Sequence, residues 1–222
     1  MKSIIVKREL LPSIAFQDKF INAVQLARIV GAIRCNNVLQ VDKISDDESN
    51  LTLRIYLLLN HAALLFEGIR RFHKSKSNFA DLPSYRDNLS NIDALERDYN
   101  DPKSFINVVL KDIRNKIAFH FDRNVISSAL QSLVADSVNE KRDLVLISGK
   151  TELVKDTVYV LADNINISYV LGLIGSRDLP QEERFKTLAK ELLVLSGLFC
   201  SVIDNLIPDL VGEYCELREE GN

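Results

Sequence analysis

The sequence has little of the residues that stabilise small secreted domains or that interrupt helices. It contains 3 cysteines, 8 glycines and 5 prolines in 222 residues. Cys35, Cys200 and Cys215 are too few and too far apart for a disulfide framework or a zinc site, so we expect reduced thiols in a cytoplasmic protein. Because glycine and proline are scarce, helices are favoured over a sandwich of many short strands.

Long hydrophobic runs and a strong net charge are also missing. Charge-free stretches such as 55–66, 164–176 and 192–203 fall short of the roughly 18 residues that a membrane span needs. The N-terminal segment becomes charged by Lys7, which excludes a signal peptide there, and we expect a soluble protein with no membrane contact. The 28 basic and 31 acidic residues give a net charge of −3. That balance excludes a strongly basic coat for nucleic acid, although a local basic patch stays open.

Apolar residues recur at helical spacing in four long segments, about 13–35, 47–75, 101–122 and 179–207. We therefore predict a mainly α fold, a helical bundle of about five to seven helices. Residues 77–100 read as a long, partly helical connection, and two runs rich in β-formers predict a small β-hairpin near 143–161. The chain, 1–222, is expected to form a single helical domain, with 143–222 as a C-terminal extension packed on the bundle.

The periodicity also predicts which faces of these helices are buried. In the first helix the predicted apolar stripe consists of Phe16, Phe20, Val24, Ala27 and Gly31. The third helix is expected to begin at Asp101-Pro102, with proline at the first helical position, and to bury Val109, Ile113, Ile117 and Phe121.

Several catalytic and metal-binding motifs are absent from the chain. There is no phosphate-binding loop, no H-E-x-x-H, no paired C-x-x-C and no G-x-S-x-G. His61, His73 and His120 are not spaced as metal ligands on one helix. We expect neither a metal nor a cofactor.

One segment, Lys111 to Asp122, concentrates groups suited to phosphate chemistry. Arg114 is a permanent cation whose fork fits phosphate oxygens, and His120 titrates near neutrality, as proton transfer requires. Asn115 can orient either a phosphate or the imidazole. These groups suffice for RNA cleavage without a metal, because the 2′-hydroxyl of RNA can itself act as the nucleophile.

The spacing of Arg114 and His120 constrains how they could meet. Residues six apart on an ideal α-helix are about 600° apart, roughly 120° short of a second full turn. Either the helix unwinds at 119–122, or a second copy of the chain completes the site through a two-fold dimer.

The pattern Arg-Asn-x-x-x-x-His, formed by Arg114, Asn115 and His120, resembles the signature of the HEPN superfamily. The signature spans seven residues, and a compatible helical pattern covers about 10–138. The resemblance implies a helical bundle that forms a homodimer and acts as a metal-independent endoribonuclease, with Arg114 and His120 as the catalytic pair and Asn115 in support. It also implies a role as a toxin with an antitoxin partner or as an antiviral-defence effector. Some toxins of this kind carry a tyrosine, modified by the antitoxin, where this chain has Asp122, which counts against that mode of control.

Each candidate residue also has a structural explanation. Arg70, Arg71, Lys74 and Lys116 are candidate contacts for an RNA backbone, but basic residues also complement the negative end of a helix. Asp112 and Lys116 are spaced as an i, i+4 ion pair, and His120 is close enough to the apolar stripe to be a buried core histidine.

His61 follows Asn60 in the most apolar helix. The functional interpretation is a buried polar pair, and the structural one is a hydrogen-bonded core histidine.

Two functions from different classes follow. The first is an endoribonuclease in which Arg114 stabilises the phosphate and His120 is the general acid and base. The alternative is a non-catalytic helical module that binds a nucleotide, RNA or a partner protein.

Overall fold

The structure, a computed structural model, describes residues 2–6, 11–14, 16–42, 49–118, 167, 169–174 and 179–219. These residues are predominantly helical, which confirms the predicted mainly α class. The α-helices are α1 (Leu11–Ile14), α2 (Asp18–Asp42), α3 (Ser49–Ser75), α4 (Pro83–Asp87), α5 (Leu89–Asn100) and α6 (Gln181–Tyr214). A 3₁₀ turn, Lys76–Phe79, follows α3, and two π-helical segments, Ile106–Leu110 and Ile113–Ala118, follow α5.

Strands occur at the two ends of the described chain. β1 (Lys2–Val6) pairs antiparallel with β2 (Cys215–Glu219), in a register that places Lys2 opposite Glu219. The β-hairpin predicted near 143–161 lies outside the described residues, and nothing in the described part supports it.

The chain divides into two compact units. Unit 1 comprises Met1–Arg34, Leu64–Ser104 and Val194–Asn222, and unit 2 comprises Cys35–Ala63 and Phe105–Leu193. Each unit has a buried apolar core of its own, and α2, α3 and α6 contribute residues to both. The largest fully buried side chains of unit 1 include Leu26, Ile33, Leu65, Ile69, Phe72, Phe79 and Phe199, and those of unit 2 include Ile106, Leu110 and Ile113.

The buried face of α2 differs from the predicted one. The stripe of Phe16, Phe20, Val24, Ala27 and Gly31 is wrong, since Phe16 is 87% exposed and Val24 is 52% exposed. The helix instead buries a second series at helical spacing, Ala23, Leu26, Val30 and Ile33. Phe16 precedes α2, and in the later turns of the helix Leu26, Val30 and Ile33 carry more apolar surface than Ala27 and Gly31, which favours the second series.

The segment after α5 also begins differently from the prediction. Residues 101–104 form a turn, not the first turn of a helix. The Oδ1 atom of Asp101 accepts a bond from the backbone N–H of Lys103 at 2.9 Å, and its carbonyl accepts one from Ser104 at 3.1 Å. An aspartate that bonds to the backbone two residues on is typical of a turn. The predicted buried face is nevertheless confirmed at Val109, Ile113 and Ile117, whereas Phe121 lies outside the described residues.

A close approach of helices occurs in unit 1 at Gly68 of α3. A Cβ atom at this position would lie 2.6 Å from the ring of Phe199 in α6 and 3.0 Å from Ile29 in α2. Only glycine fits without displacing its neighbours.

The long helix α6 buries Leu188, Leu192, Leu195 and Phe199, which recur at helical spacing. It continues past Pro208, beyond the predicted end near 207. Within the described chain, its stretch Glu182–Asp209 is the one helical stretch long and apolar enough to cross a membrane. A core helix of a soluble protein can be equally long and apolar, so length and composition alone do not show that α6 spans a membrane.

Candidate functional site

Arg114 and Asn115 lie in unit 2, on the π-helical segment Ile113–Ala118. Both side chains are half-buried. Arg114 donates a hydrogen bond from Nη1 to the Oδ1 atom of Asn115 at 2.9 Å. The bond uses the carboxamide oxygen as acceptor, so the NH₂ of Asn115 is the part that can donate to a ligand. The structure therefore brings these two predicted site residues together.

A three-membered polar network holds the same segment. Lys116 donates from Nζ to Asp112 at 2.8 Å and to the hydroxyl of Tyr169 at 3.0 Å, and that hydroxyl donates to the same Asp112 oxygen at 2.9 Å. The bond to Asp112, followed by the bond to Tyr169, raises the pKa of Lys116. Burial is the main cause that raises the pKa of Tyr169. The ion pair predicted for Asp112 and Lys116 is thus present.

This network changes the interpretation of Lys116. Its ammonium donates to both partners and lies 5.7 Å from the centre of the Tyr169 ring. A lysine held in this way would lose those bonds on turning to an RNA phosphate, so we assign Lys116 to holding the segment.

The partner of Arg114 in the predicted catalytic pair, His120, lies outside the described residues, as does the flanking pair Phe119 and Phe121. The angle worked out for an ideal α-helix does not carry over to this region. The i→i+5 bonds of a π-helix place more residues in each turn than an α-helix does.

His61, also in unit 2, is buried, with 1% of its surface exposed. Burial lowers its pKa from 6.5 to about 4, so the imidazole is neutral near pH 7. The adjacent Asn60 is exposed. The functional interpretation of Asn60 and His61 as a buried polar pair is therefore wrong, and His61 is a core histidine.

In unit 1, three of the predicted RNA contacts, Arg70, Arg71 and Lys74, line one cavity of about 590 Å³. Arg70 is paired with Glu67, its Nη2 lying 2.7 Å from Oε2. Arg71 donates to the side-chain oxygen of Gln25, and Lys74 is exposed. The complete lining consists of Asp18, Asn22, Arg70, Arg71, Lys74, Ser75 and Asn78.

Sequence reasoning missed some of these residues for a common reason. Tyr169 is separated from Lys116 by more than fifty positions, and Asp18 and Asn22 by a similar distance from Arg70. The spacing of residues along a single helix does not indicate such long-range contacts. Predicting them would require knowing which helices pack against each other.

No group of three metal-ligating side chains is present among the residues that the structure describes. His73 instead bonds through Nδ1 to Glu96 at 2.7 Å, and Lys76 contacts the same carboxylate. Its ring also packs against Tyr99, with 4.4 Å between ring centres. These contacts explain His73 as part of the packing of α3 against α5.

Compared with known proteins, the chain matches no family model, no curated protein and no solved structure.

Proposed function

We propose that the chain is a HEPN-like, metal-independent endoribonuclease that acts as a toxin or as an antiviral-defence effector. The observation that carries the proposal is the placement of Arg114 and Asn115. They are consecutive, bonded to each other and set on a π-helical turn, six and five residues respectively before His120. Single π-helical turns occur frequently at functional sites.

The proposed reaction needs only groups of the chain and the RNA itself. The 2′-oxygen attacks the adjacent phosphorus, and His120 removes its proton. The bond from phosphorus to the 5′-oxygen breaks, and that oxygen takes a proton from the imidazolium. The products are a 2′,3′-cyclic phosphate and a 5′-hydroxyl. The Arg114 guanidinium stabilises the charge that grows on the non-bridging oxygens, and the NH₂ of Asn115 orients the phosphate.

The network of Asp112, Lys116 and Tyr169 supports this arrangement as a positioning device. Asp112 and Lys116 flank Arg114 and Asn115 in the chain, and both form hydrogen bonds with the distant Tyr169. Fixing the backbone on both sides restricts the motion of the side chains between them, and catalysis is sensitive to displacements of about 1 Å.

The test is a gel assay of structured RNA in the presence of EDTA. We expect cleavage by the wild type and a loss of about 100-fold or more in His120→Ala and Arg114→Ala, because proton transfer and charge stabilisation each contribute on that scale. Arg97→Ala is the matched control, since Arg97 is an exposed arginine of unit 1 that pairs with Asp98. Undiminished cleavage by folded His120→Ala or Arg114→Ala protein would refute the proposal.

Tyr169→Phe tests the positioning role. We expect kcat to fall about tenfold with KM nearly unchanged. Phenylalanine removes both hydrogen bonds of the Tyr169 hydroxyl, and each bond typically contributes about 0.5–1.5 kcal/mol, whereas a tenfold effect corresponds to about 1.4 kcal/mol. Ile55→Val, a buried change in the same unit, should lose similar stability and retain kcat. If both variants lose kcat in proportion to their stability, Tyr169 has no role beyond packing.

The proposal extends to partners and location. We propose a homodimer that completes the site with a second copy, an antitoxin that binds the toxin form, and a cytoplasmic location. Sedimentation equilibrium tests the homodimer. Co-purification with the product of a neighbouring gene tests the antitoxin, and fractionation of cell extracts tests the location. Recovery in the membrane fraction would assign the apolar stretch of α6 to a bilayer.

A second candidate function, a non-catalytic module that binds a nucleotide, RNA or a partner protein, is favoured by the cavity in unit 1. The cavity groups three basic side chains on a scaffold that needs no catalytic residue to bind an anion.

A further inference from the structure

The cavity in unit 1 is built from two helices and the turn that follows the second. Asp18 and Asn22 come from the first turns of α2, and Arg70, Arg71 and Lys74 come from the last turns of α3. Its volume of about 590 Å³ falls in the range of roughly 300–1,000 Å³ typical of small-molecule sites.

The charges in this cavity are incompletely compensated. Arg70 is neutralised by Glu67, but the partner of Arg71 is the neutral carboxamide of Gln25. Lys74 makes no ion pair in the part of the chain that the structure describes. Against these cations the lining holds one acid, the exposed Asp18. The surroundings therefore favour an anion.

Neutral groups in the lining can recognise more than charge. Asn22 and Asn78 are half-buried, and neither side chain makes a hydrogen bond within the described ranges. Each carboxamide offers a donor and an acceptor, the pair that the edge of a nucleobase or a sugar hydroxyl requires.

We infer that this cavity binds a free nucleoside phosphate, with the phosphates on Arg71 and Lys74 and the nucleoside on the two asparagines. An arginine fork binds phosphate oxygens in pairs, and lysine adds a mobile point charge. A half-open cavity of this volume has room for a mononucleotide, and its lining of seven residues is short for a length of RNA. The inference does not rest on ribonuclease activity, because the residues that carry it belong to unit 1 and the motif belongs to unit 2.

Isothermal titration of the full chain with AMP, ADP and ATP tests the inference. We expect saturable binding that tightens with each added phosphate. The variant Arg71→Gln/Lys74→Gln should bind ATP at least tenfold more weakly, since it removes two charges from the lining. Lys74→Gln alone changes only an exposed side chain, so it keeps the test valid if the double variant does not fold.

The matched control is Arg97→Gln/Lys103→Gln, which removes the same charge from exposed positions of unit 1 outside the lining. It should bind within twofold of the wild type. Any one of three results overturns the inference. The first is that none of the three nucleotides binds saturably up to about 1 mM. The second is that the control variant loses as much affinity for ATP as the cavity variants, and the third is that both cavity variants bind ATP as tightly as the wild type. Binding of a short RNA that depends on Arg71 and Lys74, without nucleotide binding, also overturns it and assigns the cavity to RNA. The RNA cleavage assay is a separate measurement and leaves this result unchanged.

Discussion

Acid should destabilise this protein through one buried histidine. His61 has 1% of its surface exposed, and burial lowers its pKa from 6.5 to about 4. Between these two values the unfolded chain binds a proton that the folded chain does not. The stability that depends on neutral His61 is therefore complete above about pH 6.5 and falls as the pH drops towards 4. Linkage with these two pKa values gives a loss of about 2 kcal/mol between pH 7 and pH 4.5.

The assay is urea unfolding followed by circular dichroism at pH 7, 5.5 and 4.5. The lower limit separates His61 from the two aspartates Asp81 and Asp209. Asp81 and Asp209 have pKa values lowered by hydrogen bonds from Lys19 and Ser84 respectively, so the stability they contribute is lost only as the pH falls below their ordinary value of 3.8. His61→Gln keeps a polar side chain that does not titrate, and it should lose about 2 kcal/mol less than the wild type over this range.

Ile55→Val provides the control for a general loss of stability. It should cost about 0.5–1.5 kcal/mol at every pH and keep the full acid loss of the wild type. The reasoning is refuted if His61→Gln shows the same acid loss as the wild type, because the pH dependence would then come from other groups.

Two further predictions concern packing and thiol reactivity. Gly68→Ala should reduce the free energy of unfolding by about 1–3 kcal/mol, since the added Cβ meets the ring of Phe199 at 2.6 Å. Gly31→Ala, with no neighbouring atom within 4 Å of the added Cβ, should instead stabilise α2 by about 0.5–1 kcal/mol. Urea unfolding measures the stability of both variants. A loss of stability in both would contradict the packing argument. Burial raises the pKa of Cys200, whereas Cys35 is exposed. Alkylation followed by peptide mass spectrometry should therefore modify Cys35 at least about tenfold faster, and equal rates would contradict this prediction.

Helix positions proved more predictable from the sequence than helix faces. The bounds 47–75 agree with α3, because a polar start and a basic end enclose one apolar run. In α2 two apolar series compete, and periodicity does not show which of them meets the rest of the core. The length of α2 was also underestimated, because Asn36 and Asn37 do not end it.

The candidate sites were predictable where their residues are neighbours in the chain. The group of Arg70, Arg71 and Lys74 and the pair of Arg114 and Asn115 are local in sequence, and the structure keeps each group together. Tyr169 and Asn22 reach these groups only through tertiary packing. The π-helical geometry was not expected either, because the apolar spacing in 105–118 suits an α-helix.

The π-helical segments have a consequence for how this chain tolerates changes in length. A π turn contains more residues than an α turn needs, so losing the exposed Val108 could be absorbed by a return to α-helical geometry. In α3, a deletion would rotate every later side chain by about 100° and turn its buried face out of the core. In Ile113–Ala118 the same loss would preserve a helix but shorten the spacing from Arg114 to His120. Related chains that differ in length by one residue are therefore expected to differ within Ile106–Leu110.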